Sequence, residues 1–158
     1  MPLLLIRHAQ AEAKNPQGDW ARGLTARGRR AFKRHARQLA QLIALRGIAT
    51  SPYVRAVQTA EILADVCGVS DVRVRSELVP RKRGTARILR LARELGSGWA
   101  LVGHNPSLAE AAARALGLND LPFSLTKGGA LALRRRGMGF SFHWLASPKA
   151  EVVTRLPR

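Results

Sequence analysis

The chain has 158 residues, 46% of them hydrophobic and 23% charged, with a formal net charge of +17. That length suits one domain, which buries roughly two-thirds of its unfolded surface and needs no disulfide or metal staple; Cys67, the one cysteine, excludes an internal disulfide. The apolar run in MPLLLIRHAQ is too short to span a membrane and lacks a signal peptide's basic lead, so a cytoplasmic protein with no membrane partner is expected.

Leu3 to Arg7 reads as a short buried strand, and residues 8 to 24 as a polar loop. Thr25 can cap a helix running to about Arg46, with Leu24 as a staple and Gly47 as the C-terminal stop. Phe32, Ala36, Leu39 and Ile43 recur at helical spacing, and the basic residues lie elsewhere around the helix. No acidic residue occurs between Asp19 and Glu61, while Arg22, Arg27, Arg29, Arg30, Lys33, Arg34, Arg37, Arg46 and Arg55 all fall there. Such a field attracts polyanions and acidic protein surfaces, but net charge alone identifies no partner. An Arg-rich solvated face is the plain alternative.

Ile48 to Ser51 is a second strand. Ser51-Pro52 then signals a helix to about Val66, ended by Gly68. Val72 to Val74 is a weak third strand, followed by a basic loop, Arg75 to Gly84, and a helix from Thr85 through Leu95. Trp99 to Gly103 is an apolar strand, and Asn105-Pro106 opens a fourth helix. Ala130 to Arg134 and Phe140 to Ala146 form an edge hairpin turning at Gly137 and Gly139. This alternation predicts a three-layer α/β/α sandwich with a mostly parallel sheet and an antiparallel edge. The whole chain is expected to form one domain.

Arg7-His8, Ser51 to Arg55 and Gly103-His104-Asn105 each follow a strand. Ligand sites of open α/β sheets lie at these carboxyl ends. Helix N-termini offer N–H donors to phosphate there, and arginine adds a planar fork. Taken singly, His8 and His104 suit structural roles and Arg55 a surface helix. Two histidines and two arginines on one rim are harder to explain by packing.

The runs LLLIRHAQA, LTARGRRAFKRHARQLA, IATSPYVRAVQTAEILA and ALVGHNPSL resemble the histidine phosphatase superfamily, in particular its short SixA-type phosphohistidine phosphatase branch. The resemblance covers Leu3 to about Leu145 and implies a phosphoglycerate-mutase-like fold. It implies that His8 is a nucleophile forming a covalent phosphohistidine, and that Arg7, Arg55 and His104, with Asn105, hold the phosphate. No cofactor or metal is expected. Ala9 replaces the family's usual glycine after the histidine. Pro80 stands where many relatives carry an acidic residue, which leaves Asp19 and Glu77 as candidate general acids. An imidazole leaving group, with a pKa of about 6.5, has less need of such an acid than an alkoxide. The expected substrate is therefore a phosphohistidine-bearing protein, acted on by a monomer. Polyphosphate or small phosphoesters are the alternative substrates, and a non-catalytic basic module that binds a phosphorylated partner is the alternative class. Nucleic acid is not the expected partner.

Overall fold

The computed structural model describes all 158 residues, Met1–Arg158. The elements run β1 (Leu3–Arg7), α1 (Ala26–Leu42), β2 (Gly47–Thr50), α2 (Val54–Cys67), β3 (Val72–Val74), α3 (Thr85–Leu95), β4 (Trp99–Gly103), α4 (Ser107–Ala115), β5 (Ala130–Arg136) and β6 (Gly139–Ala146). Short 3-10 turns cover Asp19–Ala21 and Ser76–Leu78. One sheet orders the strands β3-β2-β4-β1-β5-β6. The first four are parallel; β5 and β6 run antiparallel at the edge. This is the expected α/β/α architecture.

Period-two alternation along the central strands divides the core between two faces. Leu4, Ile6, Ala100 and Val102 pack under α1 and α2, with Phe32, Leu39 and Leu63. Leu3, Leu5 and Leu101 point the other way, beneath Ile88 and Leu91 of α3 and Leu108 of α4. Both clusters are almost wholly excluded from water, so the three strands next to the site are rigid supports. No helix is long and apolar enough to cross a membrane.

Thr25 caps α1 as expected, its hydroxyl accepting from the Gly28 N–H at 2.9 Å. The helix stops at Leu42, however, short of the expected Arg46. Ile43 turns extended (φ −152°, ψ 143°) and its side chain is buried. Gly47 is not the stop; it opens β2. A side chain there would run into the Trp99 indole, so this glycine serves a close approach between neighbouring strands. Pro52 likewise lies in the turn before α2 rather than in its first turn, and α4 begins at Ser107, after Pro106.

Candidate active site

Strands β2, β4 and β1 are neighbours, so their carboxyl ends lie about 5 Å apart. Ser51, His104 and His8 leave the sheet at these ends. The His8 and His104 ring centroids are 5.1 Å apart, one strand spacing. The His8 N–H donates to the Gly103 carbonyl at 3.0 Å, which fixes the chain where β1 ends. The Ala9 N–H donates to Thr59 Oγ1 at 3.0 Å, and that hydroxyl donates to the Arg55 carbonyl at 2.8 Å. Thr59 thus ties the His8 segment to the first turns of α2. The methyl of Ala9 is buried in the core under α1 and α2 without displacing this link.

The His8 Nδ1 lies 2.8 Å from the Ala9 carbonyl oxygen. Only an Nδ1–H can donate to a carbonyl, so the tautomer is set and the lone pair sits on Nε2. Burial, reinforced by the Arg55 and Arg7 cations, pushes the His8 pKa down to about 4. His8 is therefore a neutral imidazole at pH 7, with its basic nitrogen turned to Arg55, whose Nε donates to it at 3.3 Å.

Arg55 is 5% exposed, and a cation so buried needs partners. Its Nη1 donates to the Asp19 carbonyl at 2.8 Å and its Nη2 to the Asp19 carboxylate at 3.1 Å. Its guanidinium also lies over the Tyr53 ring, 5.1 Å from the centroid. Asp19 is held from the other side by Arg22 at 2.8 Å. The bonds to Arg22 and Arg55 keep its carboxyl below the usual carboxylate range, so it is an anion at neutral pH.

His104 is buried, and its Nε2 lies 2.8 Å from Ser51 Oγ, which accepts the Tyr53 N–H at 3.1 Å. With that oxygen already accepting, its hydroxyl hydrogen can go to Nε2, leaving the His104 proton on Nδ1. A phosphate ligand of this kind would gain most from an imidazolium. Burial, with the His8 and Arg55 charges, instead lowers its pKa to about 3, so the ring is neutral here. Arg7 Nη1 and Asn105 Nδ2 both donate to the Leu125 carbonyl, at 3.3 and 3.0 Å. Burial lowers the Arg7 pKa, though far too little to discharge a guanidinium.

The buried side-chain nitrogens and oxygens left without partners are Arg7 Nε, His104 Nδ1 and Asn105 Oδ1. All three belong to residues that flank His8 at the strand ends. Arg7 Nε is a donor, His104 Nδ1 is one in the tautomer in which Ser51 donates to Nε2, and an orphaned buried donor calls for an acceptor. Together with Arg55 they suit an oxyanion set against His8 Nε2. Three clefts of about 500, 560 and 630 Å³ open on the surface, and none is lined by His8. No group of three or more His, Cys, Asp or Glu side chains could hold a metal ion.

Of the residues singled out from sequence, His8, Arg7, Arg55, His104, Asn105 and Asp19 come together. Glu77 does not contact them. It pairs with Arg75 at 2.6 Å, a contact that holds its carboxyl low against the opposing effect of burial. Sequence reasoning missed Ser51, Thr59 and Arg22 as partners, and the Leu125 carbonyl as an anchor. Ser51, at a strand end before a proline, carried a usable signal. A backbone carbonyl in the 117–128 loop carries none.

The fold is a phosphoglycerate-mutase-like sandwich, and the strand-end residues make a cationic pocket on it. The pattern of the histidine phosphatase superfamily, branch 1, matches residues 3–88. An uncharacterised protein of Picosynechococcus sp. (strain PCC 7002) is 36% identical over 161 aligned positions, 94% of this chain and 98% of that one. The protein histidine phosphatase SixA complexed with tungstate matches with a TM-score of 0.81 at 24% identity, over 94% of this chain and 97% of that one. A candidate SixA phosphohistidine phosphatase from Nakamurella multipartitia matches with a TM-score of 0.74 at 25% identity, over 94% and 96%. The chain belongs to the histidine phosphatase superfamily, and its fold is of the SixA type. Its class is that of phosphatases.

Proposed function

We propose that this protein removes the phosphoryl group from phosphohistidine in proteins through a covalent phospho-His8 intermediate. The observation that carries the reading is the His8 tautomer: an Nδ1–H bound to the Ala9 carbonyl, and an Nε2 lone pair beside Arg55. A neutral ring with its lone pair aimed at a cationic pocket is what a phosphorus nucleophile requires.

The bound phosphoryl group takes donors from Arg7, from Arg55 as it exchanges Asp19 for substrate, and from the His104 Nδ1–H. Its negative charge raises the His104 pKa towards the charged form, which strengthens the clamp in the transition state. His8 Nε2 attacks phosphorus, and the phosphorus–nitrogen bond to the substrate imidazole breaks. The substrate ring, first protonated by solvent on its other nitrogen, departs as a neutral imidazole with the electron pair of the broken bond on the leaving nitrogen; the attacking water of the next step returns that proton to solvent. Water then attacks the phosphorus of phospho-His8, releasing inorganic phosphate and restoring the His8 lone pair. Asp19 and Glu77 are both held as anions, so neither carries a proton ready for an alkoxide. An imidazole leaving group, with its near-neutral pKa, fits that circumstance better.

The test is a turnover panel of phosphohistidine protein, polyphosphate and p-nitrophenyl phosphate. Wild-type protein should act fastest on phosphohistidine, and acid-labile phosphate should be trapped on His8. Folded His8→Ala should lose at least a thousandfold in kcat. Retained turnover in that variant overturns the nucleophile, and activity confined to polyphosphate or the ester overturns the substrate.

A further inference from the structure

The two basic regions of the sequence lie on opposite faces of the sheet. Arg29, Arg30 and Lys33 stand on the outer side of α1, over the core shared with α2. Arg81, Lys82 and Arg83 precede α3, on the α3–α4 side. There they line a cleft of about 560 Å³ with Arg114 of α4, Glu110 and Pro106. Pro106 follows Asn105 directly and His104 by two residues, which brings one wall of the cleft next to the strand-end residues.

This cleft is built rather than incidental. Ser107 Oγ donates to the Arg81 carbonyl at 3.2 Å and staples the loop to the start of α4. Arg83 holds a left-handed backbone (φ 60°), a conformation uncommon for an arginine. The four cationic side chains form no ion pair, although the molecule's other arginines hold every paired carboxylate: Asp19, Asp71, Glu77 and Glu94. Glu110, the one carboxylate in the lining, instead accepts from the Thr85 hydroxyl at 3.4 Å. Four unpaired cations against one carboxylate leave a concave wall with a strong positive field.

We propose that this cleft is a docking groove for an acidic protein segment flanking the phosphohistidine of the substrate. The inference rests on the substrate class given above and adds where its polypeptide lies. A concave groove at the site's edge can select a partner by charge, whereas the convex face of α1 meets only solvent. None of Arg7, His8, Arg55 and His104 lines it, so a small phosphate held at His8 lies outside the groove. The groove therefore acts on substrate binding and leaves the chemical step alone.

The experiment uses two fluorescent peptides of one sequence around a central histidine, one flanked by glutamates and one by glutamines, each with and without phosphorylation. Anisotropy measures binding of the unphosphorylated pair at low and at 0.5 M salt. Wild-type protein should prefer the acidic peptide, and salt should erase the preference. Arg81→Gln, Lys82→Gln and Arg83→Asn together should weaken acidic-peptide binding about tenfold, the order expected when three exposed ion pairs are lost. Asparagine is chosen at position 83 because it tolerates the left-handed backbone. Arg114→Gln, from the other wall, should weaken binding in the same direction. Arg29→Gln, Arg30→Gln and Lys33→Gln remove the same charge from α1 and should change little. Turnover of p-nitrophenyl phosphate should be unchanged in all three variants. Equal weakening by the loop and helix variants overturns the groove in favour of diffuse charge. Tripolyphosphate binding that falls in the loop variant, with no acidic-peptide binding by wild type, reassigns the cleft to polyphosphate. If acidic-peptide binding behaves as expected while wild type cleaves neither phosphopeptide, the docking groove stands and the phosphohistidine reading falls.

Discussion

In the proposed mechanism, Asp19 stands where the substrate phosphate is received. Its carboxylate takes the outer nitrogen of Arg55 at 3.1 Å, and Arg22 holds it from the other side. The side chain is 59% exposed, so the pair is easily hydrated and weakly held. An arriving dianion must displace it or share Arg55 with it. Replacing Asp19 by Asn keeps the backbone carbonyl contact to Arg55 and removes one negative charge from the phosphate's surroundings. At a few ångströms, in the water-like dielectric that its exposure brings, that charge is worth about 1 kcal/mol. Tungstate or phosphate should then inhibit Asp19→Asn at roughly fivefold lower concentration than wild type. Turnover at saturation should hold for phosphohistidine and for an alkyl phosphoester alike, since Asp19 carries no proton for the leaving group. Weaker inhibition by tungstate would mean that Asp19 serves to orient Arg55. This contact was not legible in the sequence. Asp19 was a candidate acid by its loop position, yet the ion pair joins residues 36 apart, and no spacing rule reaches that far.

Strand ends and helix starts account for what could be read in advance. Arg7, His8, His104 and Asn105 sit within two residues of strand ends that periodicity marked, and Arg55 follows the Ser51-Pro52 punctuation by three residues. Boundaries that shifted did so where tertiary contacts outweighed local preference. Leu45 and Arg46 are good helix formers, yet burial of Ile43 and the approach of Gly47 to Trp99 end α1 at Leu42. The junction between the His8 loop and α1 is fixed in the same way. A Cβ on Gly28 would strike the Gln10 carbonyl oxygen, and that carbonyl also accepts the Thr25 N–H at 3.1 Å. Gly28→Ala should therefore lose about 1–3 kcal/mol, as overpacking does, despite alanine's better helix propensity. The check is the urea midpoint together with tungstate affinity. The residues between Gln10 and Thr25 carry Asp19 and Arg22, so both quantities should fall. A stabilised Gly28→Ala with unchanged affinity would show that the loop rides freely on the helix.

Over the whole molecule, the site draws on stability that the sandwich supplies. His8 and His104 are buried beside two arginines, with pKa values near 4 and near 3. An unfolded histidine titrates at about 6.5. Between these values the unfolded chain binds more protons than the folded one, so stability rises with pH through that window and is lost as pH falls. Above about 6.5 both states are neutral at these rings and the contribution is complete. Each unit of displacement is about 1.4 kcal/mol. The two rings can thus remove a few kcal/mol from a net stability of about 5–15 kcal/mol. His35 and His143 are also shifted down and add to the trend. Carboxylates remain ionised above about pH 5, so the interval from pH 7 to 5 isolates the histidines from the ten acidic residues. The Tm of wild type should drop across that interval, while a His8→Asn, His104→Gln double variant should lose most of the slope. Tungstate at pH 7 should raise the wild-type Tm by mass action and leave the double variant's Tm nearly unchanged. A double variant with the wild-type slope would place the acid sensitivity outside the site, in the mutual repulsion of a chain carrying 27 basic residues.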